Sequence, residues 1–141
     1  MGRTRFDGNG SSIKLNLLVS SIDLTSHTNV LVALDTGASV TSIPTYVAKA
    51  LGYDLSDNCE EIEIVTGSGI KKVKVIQVSK LTAIGESREN IKVWCCDLPF
   101  DLDVLGVLGY NFLEHFDINI LFSANMIEIK PIKKKEQMLV P

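Results

Sequence analysis

One decapeptide constrains the rest of the chain: Val30-Leu31-Val32-Ala33-Leu34-Asp35-Thr36-Gly37-Ala38-Ser39, an apolar run that ends on a carboxylate and small residues. Successive apolar residues bounded by turn formers predict a strand buried on both faces, and the end of a buried strand is a costly place for an Asp. Asp35 is therefore presented by the strand and not merely tolerated beside it. Thr36 supplies a hydroxyl able to bond across a neighbouring loop, while Gly37 and Ala38 let other backbone come close. Taken alone, Asp-Thr-Gly is also a common turn tripeptide, because Asp accepts from nearby N–H groups and Gly tolerates positive φ.

At 141 residues, 45% hydrophobic and 22% charged, the chain suits one globular domain and is too short for two lobes. A net charge of −3 gives no bulk attraction to nucleic acid or to an anionic membrane, so neither partner is expected. Of the three cysteines, Cys59, Cys95 and Cys96, the adjacent pair cannot easily bridge, and no disulfide framework is indicated. With two His and no Cys-x-x-Cys, neither a metal site nor another cofactor is expected. Free thiols suit a reducing compartment. No membrane-length apolar run occurs, and Met1 to Ser12 lacks the apolar segment of a signal peptide, so a cytoplasmic, soluble protein is the expectation.

Residues 1–12, rich in Gly and Ser, read as a flexible arm, residues 13–132 as the domain, and residues 133–141, with Lys133-Lys134-Lys135, as a basic tail. Ile13, Leu15 and Leu17 alternate with polar residues and predict a first strand; residues 25–29 predict a polar turn, with His27 in solvent. Pro44 opens a short helix over Thr45 to Leu51, which Gly52 closes. Cys59 to Val78 predicts a long hairpin with Gly67-Ser68 as its turn: Glu63 then faces Lys72, Glu61 faces Lys74 and Ile62 faces Val73. The tip, Thr66-Gly67-Ser68-Gly69, carries no large side chain, which suits a mobile flap and equally an ordinary exposed hairpin. A short strand over 78–84, a polar loop over 85–90 and a strand over 91–96 follow. Cys95 and Cys96 read as small, partly buried hydrophobes, and the three Asp of residues 97–103 as solvated loop residues.

A second stretch, Val104-Leu105-Gly106-Val107-Leu108-Gly109-Tyr110-Asn111-Phe112-Leu113-Glu114-His115-Phe116, predicts a buried strand, a glycine turn and a turn or two of helix. The apolar strand with Asp35-Thr36-Gly37-Ala38, the Gly-tipped hairpin and the apolar run into Gly109 and a helix, in that order, together resemble the retropepsin-like aspartic proteases. The resemblance spans about Ile13 to Ile132. It implies a mainly β fold, a closed β-barrel with a ψ-shaped loop, one lobe per chain and one or two short helices. It further implies that Asp35 is the catalytic carboxylate, that Thr36 and Gly37 support the catalytic loop, and that Gly37, Ala38 and residues Thr66, Gly67, Ser68 and Gly69 bind substrate. Val107, Leu108 and Gly109 would support the ψ-loop from beneath. The chain departs from the retroviral pattern at Tyr110, where those proteins carry an Arg that pairs with an acid shortly after the catalytic triplet. Ser39 and Val40 offer no such acid, so the loop must be braced differently. At Asn119-Ile120-Leu121 many cellular relatives carry an acid after the apolar residue.

Hydrolysis of a peptide bond by carboxylates alone needs one to take a proton from water and another, protonated, to give one to the carbonyl oxygen. Two carboxyls about 3 Å apart share one proton and supply both forms. Only one Asp-Thr-Gly occurs in the chain, so a twofold homodimer pairing Asp35 with its mate is the economical solution. Met126 to Ile132 and Ile13 to Leu17, both alternating, are candidates for strands that build the dimer sheet, although an internal strand reads the same. Substrate is expected as an extended peptide with apolar side chains lodged against Val32, Leu34, Ile64 and Val107. The expected activity is that of an aspartic endopeptidase; a catalytically silent dimerisation or peptide-binding module of the same fold is the alternative.

Overall fold

Strands with one apolar face must bury it, and closing the sheet on itself does so while removing exposed edges. The computed structural model, which describes residues 2–99 and 102–132, follows this route. In chain order its elements are β1 (Gly2–Arg5), β2 (Lys14–Ser20), β3 (His27–Leu34), β4 (Ser42–Ile43), α1 (Thr45–Ala50), β5 (Glu60–Thr66), β6 (Gly69–Ala83), β7 (Glu86–Cys95), β8 (Gly106–Leu108), α2 (Tyr110–Leu113), β9 (Phe116–Leu121) and β10 (Met126–Pro131). The larger sheet runs β2-β3-β8-β4-β7-β6-β5, and a β2–β6 ladder closes its first six strands into a barrel. The expected mainly β closed barrel with two short helices is thus the observed fold. A second sheet, β1-β10-β9, delivers Ile127 and Ile129 to the same core as Leu17, Val30, Val32, Ile43 and Phe112.

α1 forms where expected. Pro44 precedes it at φ −65°, and Gly52 beyond its end sits at φ +93°, a conformation that costs a residue with a Cβ. The β5–β6 register is the one that charge and apolarity predict: Glu61 opposite Lys74, Ile62 opposite Val73, Glu63 opposite Lys72.

Elsewhere the structure corrects the sequence reading. The beginning of the expected flexible arm is strand β1: Gly2 to Arg5 pair with Ile129 to Met126, Arg3 forms a 2.8 Å ion pair with Glu128, and Phe6 is buried edge-on to Phe122. The polar turn expected at 25–29 lies earlier, around Ser21 to Ser26, and His27 already begins β3. The short strand over 78–84 is the far half of an unbroken 15-residue β6, and the polar loop over 85–90 is mostly β7. Glu86 to Glu89 stay in the ladder opposite Ala83 to Lys80: Lys80 faces Glu89, and the Thr82 and Ser87 hydroxyls lie 2.7 Å apart.

The two segments offered for a dimer sheet are largely paired within the chain: β2 is hydrogen-bonded to β3 along its length and to β6 at Leu17 to Val19, and β10 to β9 along its length and to β1 at Met126 to Ile129, so Lys14 to Asn16 and Lys130 to Pro131 lie outside those second ladders. Of the three Asp of 97–103, Asp97 accepts from the Thr45 amide at 2.9 Å and the exposed Asp103 pairs with Lys14 at 3.0 Å, while Asp101 lies outside the described residues. The basic tail expected from residue 133 lies outside the described residues. Among the described residues no helix is long and apolar enough to cross a membrane.

Candidate active site

β8 runs parallel to β3 on one side and antiparallel to β4 on the other. Residues 35–41, which join β3 to β4, therefore have to pass over the end of β8, where Gly109 lies. This crossing is the ψ-shaped arrangement, and it brings Asp35, Thr36, Gly37 and Ala38 together with Val107, Leu108 and Gly109. The Asp35 amide donates to the Leu108 carbonyl at 3.1 Å, the Tyr110 amide to the Ala38 carbonyl at 2.7 Å and the Asn111 amide to the Ser39 carbonyl at 3.2 Å. A Cβ on Gly109 would lie 2.7 Å from the Val40 carbonyl carbon and 2.9 Å from both the Ala38 oxygen and the Thr41 nitrogen. Glycine is required here by the crossing itself, since its own φ of −99° suits any residue.

Within the loop the Gly37 amide donates to Asp35 Oδ1 at 2.8 Å, and the Ala38 amide to the Asp35 carbonyl at 3.2 Å. A Cβ on Gly37 would stand 3.2 Å from Asp35 Oδ1, so a side chain would crowd the carboxylate. Asp35 and Thr36 are both exposed on the single chain. A cavity of about 440 Å³ opens beside Thr36, walled by Leu34, Ile13, Phe6 and Phe122.

The β5–β6 tip is a two-residue turn. The Thr66 hydroxyl donates to the Gly69 carbonyl at 2.9 Å and accepts from the Ser68 amide at 3.2 Å. Directly before and after it the cross-strand pair Val65 and Ile70 is 86% and 71% exposed, a large apolar surface to leave in water. Among the described residues no hydrogen bond joins this tip to the loop at 35–38.

Of the four residues expected to meet apolar substrate groups, Leu34, Ile64 and Val107 are partly exposed, whereas Val32 is fully buried in the core. β3 is not buried on both faces as its apolar run predicts: its alternation turns Val32 inward with Val30 and leaves Leu31, 38% exposed, on the outer face. Cys95 is buried, and desolvation pushes its thiol up to about 12, which keeps it protonated and unreactive at neutral pH. Sequence reasoning passed over Thr41 and Asn111, which the structure joins beneath the loop. The Thr41 amide and hydroxyl both donate to Asn111 Oδ1, at 2.9 and 3.0 Å, and the hydroxyl accepts from the Gly109 amide at 3.0 Å. No sequence signal joins them, since Thr41 and Asn111 lie 70 positions apart.

Comparison with curated proteins finds no match. Among solved structures, the crystal structure of a retropepsin-like aspartic protease from Rickettsia conorii is similar, with a TM-score of 0.64 and 24% identity over 89% of this chain and 86% of that one. At that identity the likeness shows the fold. The family model described as "gag-polyprotein putative aspartyl protease" matches residues 22–115, more than half of the chain, and the chain belongs to that family.

Proposed function

We propose that this chain is an aspartic endopeptidase acting as a homodimer, in which the Asp35 carboxylates of two copies hydrolyse peptide bonds of extended polypeptides. The observation that carries the reading is the state of Asp35: exposed at the end of β3, whose inner face is buried, with Oδ1 oriented by the Gly37 amide, in a loop hydrogen-bonded to residues on both sides of Gly109. Such a carboxylate is rigidly aimed and, on one chain, lacks the second acid that its chemistry requires.

Paired across a twofold axis about 3 Å apart, the two carboxyls hold one proton between them. The ionised one removes a proton from a water lying between them as that water adds to the peptide carbonyl. The protonated one gives its proton to the carbonyl oxygen. The carboxyl that took the water's proton then gives it to the nitrogen, the other takes a proton back from a hydroxyl of the tetrahedral diol, and the diol collapses as the C–N bond breaks, leaving an acid and an amine. Thr36 then grips the partner loop through its hydroxyl, Gly37 and Ala38 leave room for substrate backbone, and residues 66–69 close over the bound peptide as a flap. Leu34, Ile64 and Val107 favour apolar side chains around the scissile bond.

The test is digestion of a peptide library at mildly acid pH by the wild type and by Asp35→Asn, with sedimentation across concentration. We expect cleavage by the wild type, a loss of more than about a thousandfold in the variant and an unchanged dimer. A variant that cleaves at full rate refutes the assignment of Asp35. A dimer in which neither protein cleaves supports the silent module instead.

A further inference from the structure

We propose that Thr41 and Asn111 are positioning residues for Asp35: together they form an uncharged bracket that fixes the loop at 35–41 against the start of α2. The inference rests on the proteolytic reading above. Thr41 is 0% exposed, and a buried hydroxyl is costly unless bonded. Here it is fully used, accepting from the Gly109 amide and donating to Asn111 Oδ1. Asn111 in turn spends both kinds of group. Oδ1 receives the Thr41 amide and hydroxyl, and Nδ2 donates to the Lys92 carbonyl of β7 at 2.7 Å. The side chain is defined by this donor and acceptor pattern: an Asp would set an oxygen against the Lys92 carbonyl, and an amide rotated by half a turn would set its NH2 against two donors.

The bracket reaches Asp35 through the backbone. It fixes Gly109 and Asn111, whose neighbouring amides hold the Ala38 and Ser39 carbonyls, and Ala38 closes the turn onto the Asp35 carbonyl. The loop is thus anchored near its end at Thr41 and in its middle at Ala38 by one rigid segment. No charge is involved: Ser39, Val40 and Tyr110 occupy the places where an ion pair would otherwise brace this loop. A site whose two carboxyls must meet at a shared proton tolerates little displacement, and a misplacement of about 1 Å is worth about a hundredfold in rate.

The experiment compares Thr41→Val, which keeps the shape and removes the hydroxyl, with Thr41→Ser, which keeps the hydroxyl. Rates are taken per dimer as titrated with a transition-state-analogue peptide. We expect Thr41→Val to lower kcat by about tenfold or more with KM within about twofold of wild type, and Thr41→Ser to stay within about threefold of wild type. A Thr41→Val protein that loses stability but keeps wild-type kcat per titrated dimer overturns the proposal. Should Thr41→Val fail to fold, Asn111→Ala leaves the bond between Thr41 and Gly109 in place, and unchanged kcat there overturns it equally. Amide exchange at Gly37 and Ala38 reads loop order without any activity. It should quicken in either folded variant, and unaltered exchange refutes the bracket even if no peptide is cleaved. If the wild type cleaves nothing, or Asp35→Asn matches it, the proteolytic reading fails and the exchange result still decides the bracket.

Discussion

The crossing of the 35–41 loop over β8 makes Gly109→Ala the most informative single change. One added carbon would meet three backbone atoms at 2.7 to 2.9 Å, none of which belongs to a flexible side chain that could swing away. Relief requires the loop and the strand to move apart. Overpacking of this kind costs about 1–3 kcal/mol, and the two backbone donors stretched by the movement, Gly109 N–H to Thr41 and Tyr110 N–H to Ala38, add about 0.5–1.5 kcal/mol each. A total on the order of 3 kcal/mol lowers the melting temperature of a domain this size by about 10 °C. Thermal and urea unfolding should be compared at equal protomer concentration, since any dimerisation makes stability concentration-dependent. Gly67→Ala is the matched control: its added Cβ finds no atom within 4 Å, so the same chemical change should leave Tm unmoved. A Gly109→Ala protein melting within about 2 °C of wild type would refute the close crossing.

Two further outcomes follow from hydrogen bonds away from the loop. Buried Tyr53 donates its hydroxyl to the Ser20 carbonyl at 2.7 Å and accepts from the Ser79 amide at 3.0 Å, tying the helix region to two barrel strands. Tyr53→Phe strands both backbone groups and should cost about 1–3 kcal/mol in urea unfolding, with activity per folded protein unchanged; unaltered stability would count against it. Asp23 is held at about 2, below its ordinary value of 3.8, first by the Thr25 hydroxyl, then by the Ser21 hydroxyl and the Thr25 amide. Because its folded value lies below its unfolded one, its stabilising effect is complete above about pH 4 and is lost as pH falls through about 2. The turn before β3 thus stays formed at the mildly acid pH of the proposed assay. A carboxyl titration by NMR with a midpoint near 4 would contradict this.

What was legible in the sequence was what two independent signals agreed on. The β5–β6 register could be read because alternating charge and alternating apolarity required the same pairing. The ψ-loop could be read because an apolar run ending in Asp35-Thr36-Gly37-Ala38 and a later apolar run into Gly109 and a helix occur in that order in one chain. Strand β1 could not. Arg3-Thr4-Arg5 has no apolar alternation, and it is ordered by a partner at the far end of the chain through a ladder, an ion pair and buried Phe6. The first half of β7 failed for a related reason: Glu86 to Asn90 look like a loop until β6 is known to extend opposite them. Thr41 and Asn111 were invisible because neither residue type is informative until the fold brings them together.

Alternation says that a strand has one buried face, but it does not say whose ladder occupies its edges, and here β2 and β10 are each paired on both sides over part of their length. If two copies meet at Asp35 as proposed, Lys14 to Asn16 and Lys130 to Pro131 are the stretches of those strands outside a second ladder. The edges open along their whole length in the small sheet are those of β1 and β9, and β9 leads directly into Phe122, which is 69% exposed and borders the cavity beside Thr36. A second Asp35 brought to this loop brings its own Thr36 with it, so the surface flanking that cavity is covered by the same operation that completes the acid pair. Assembly and catalysis then draw on one patch of the molecule, and dilution of the dimer should abolish cleavage in parallel with dissociation.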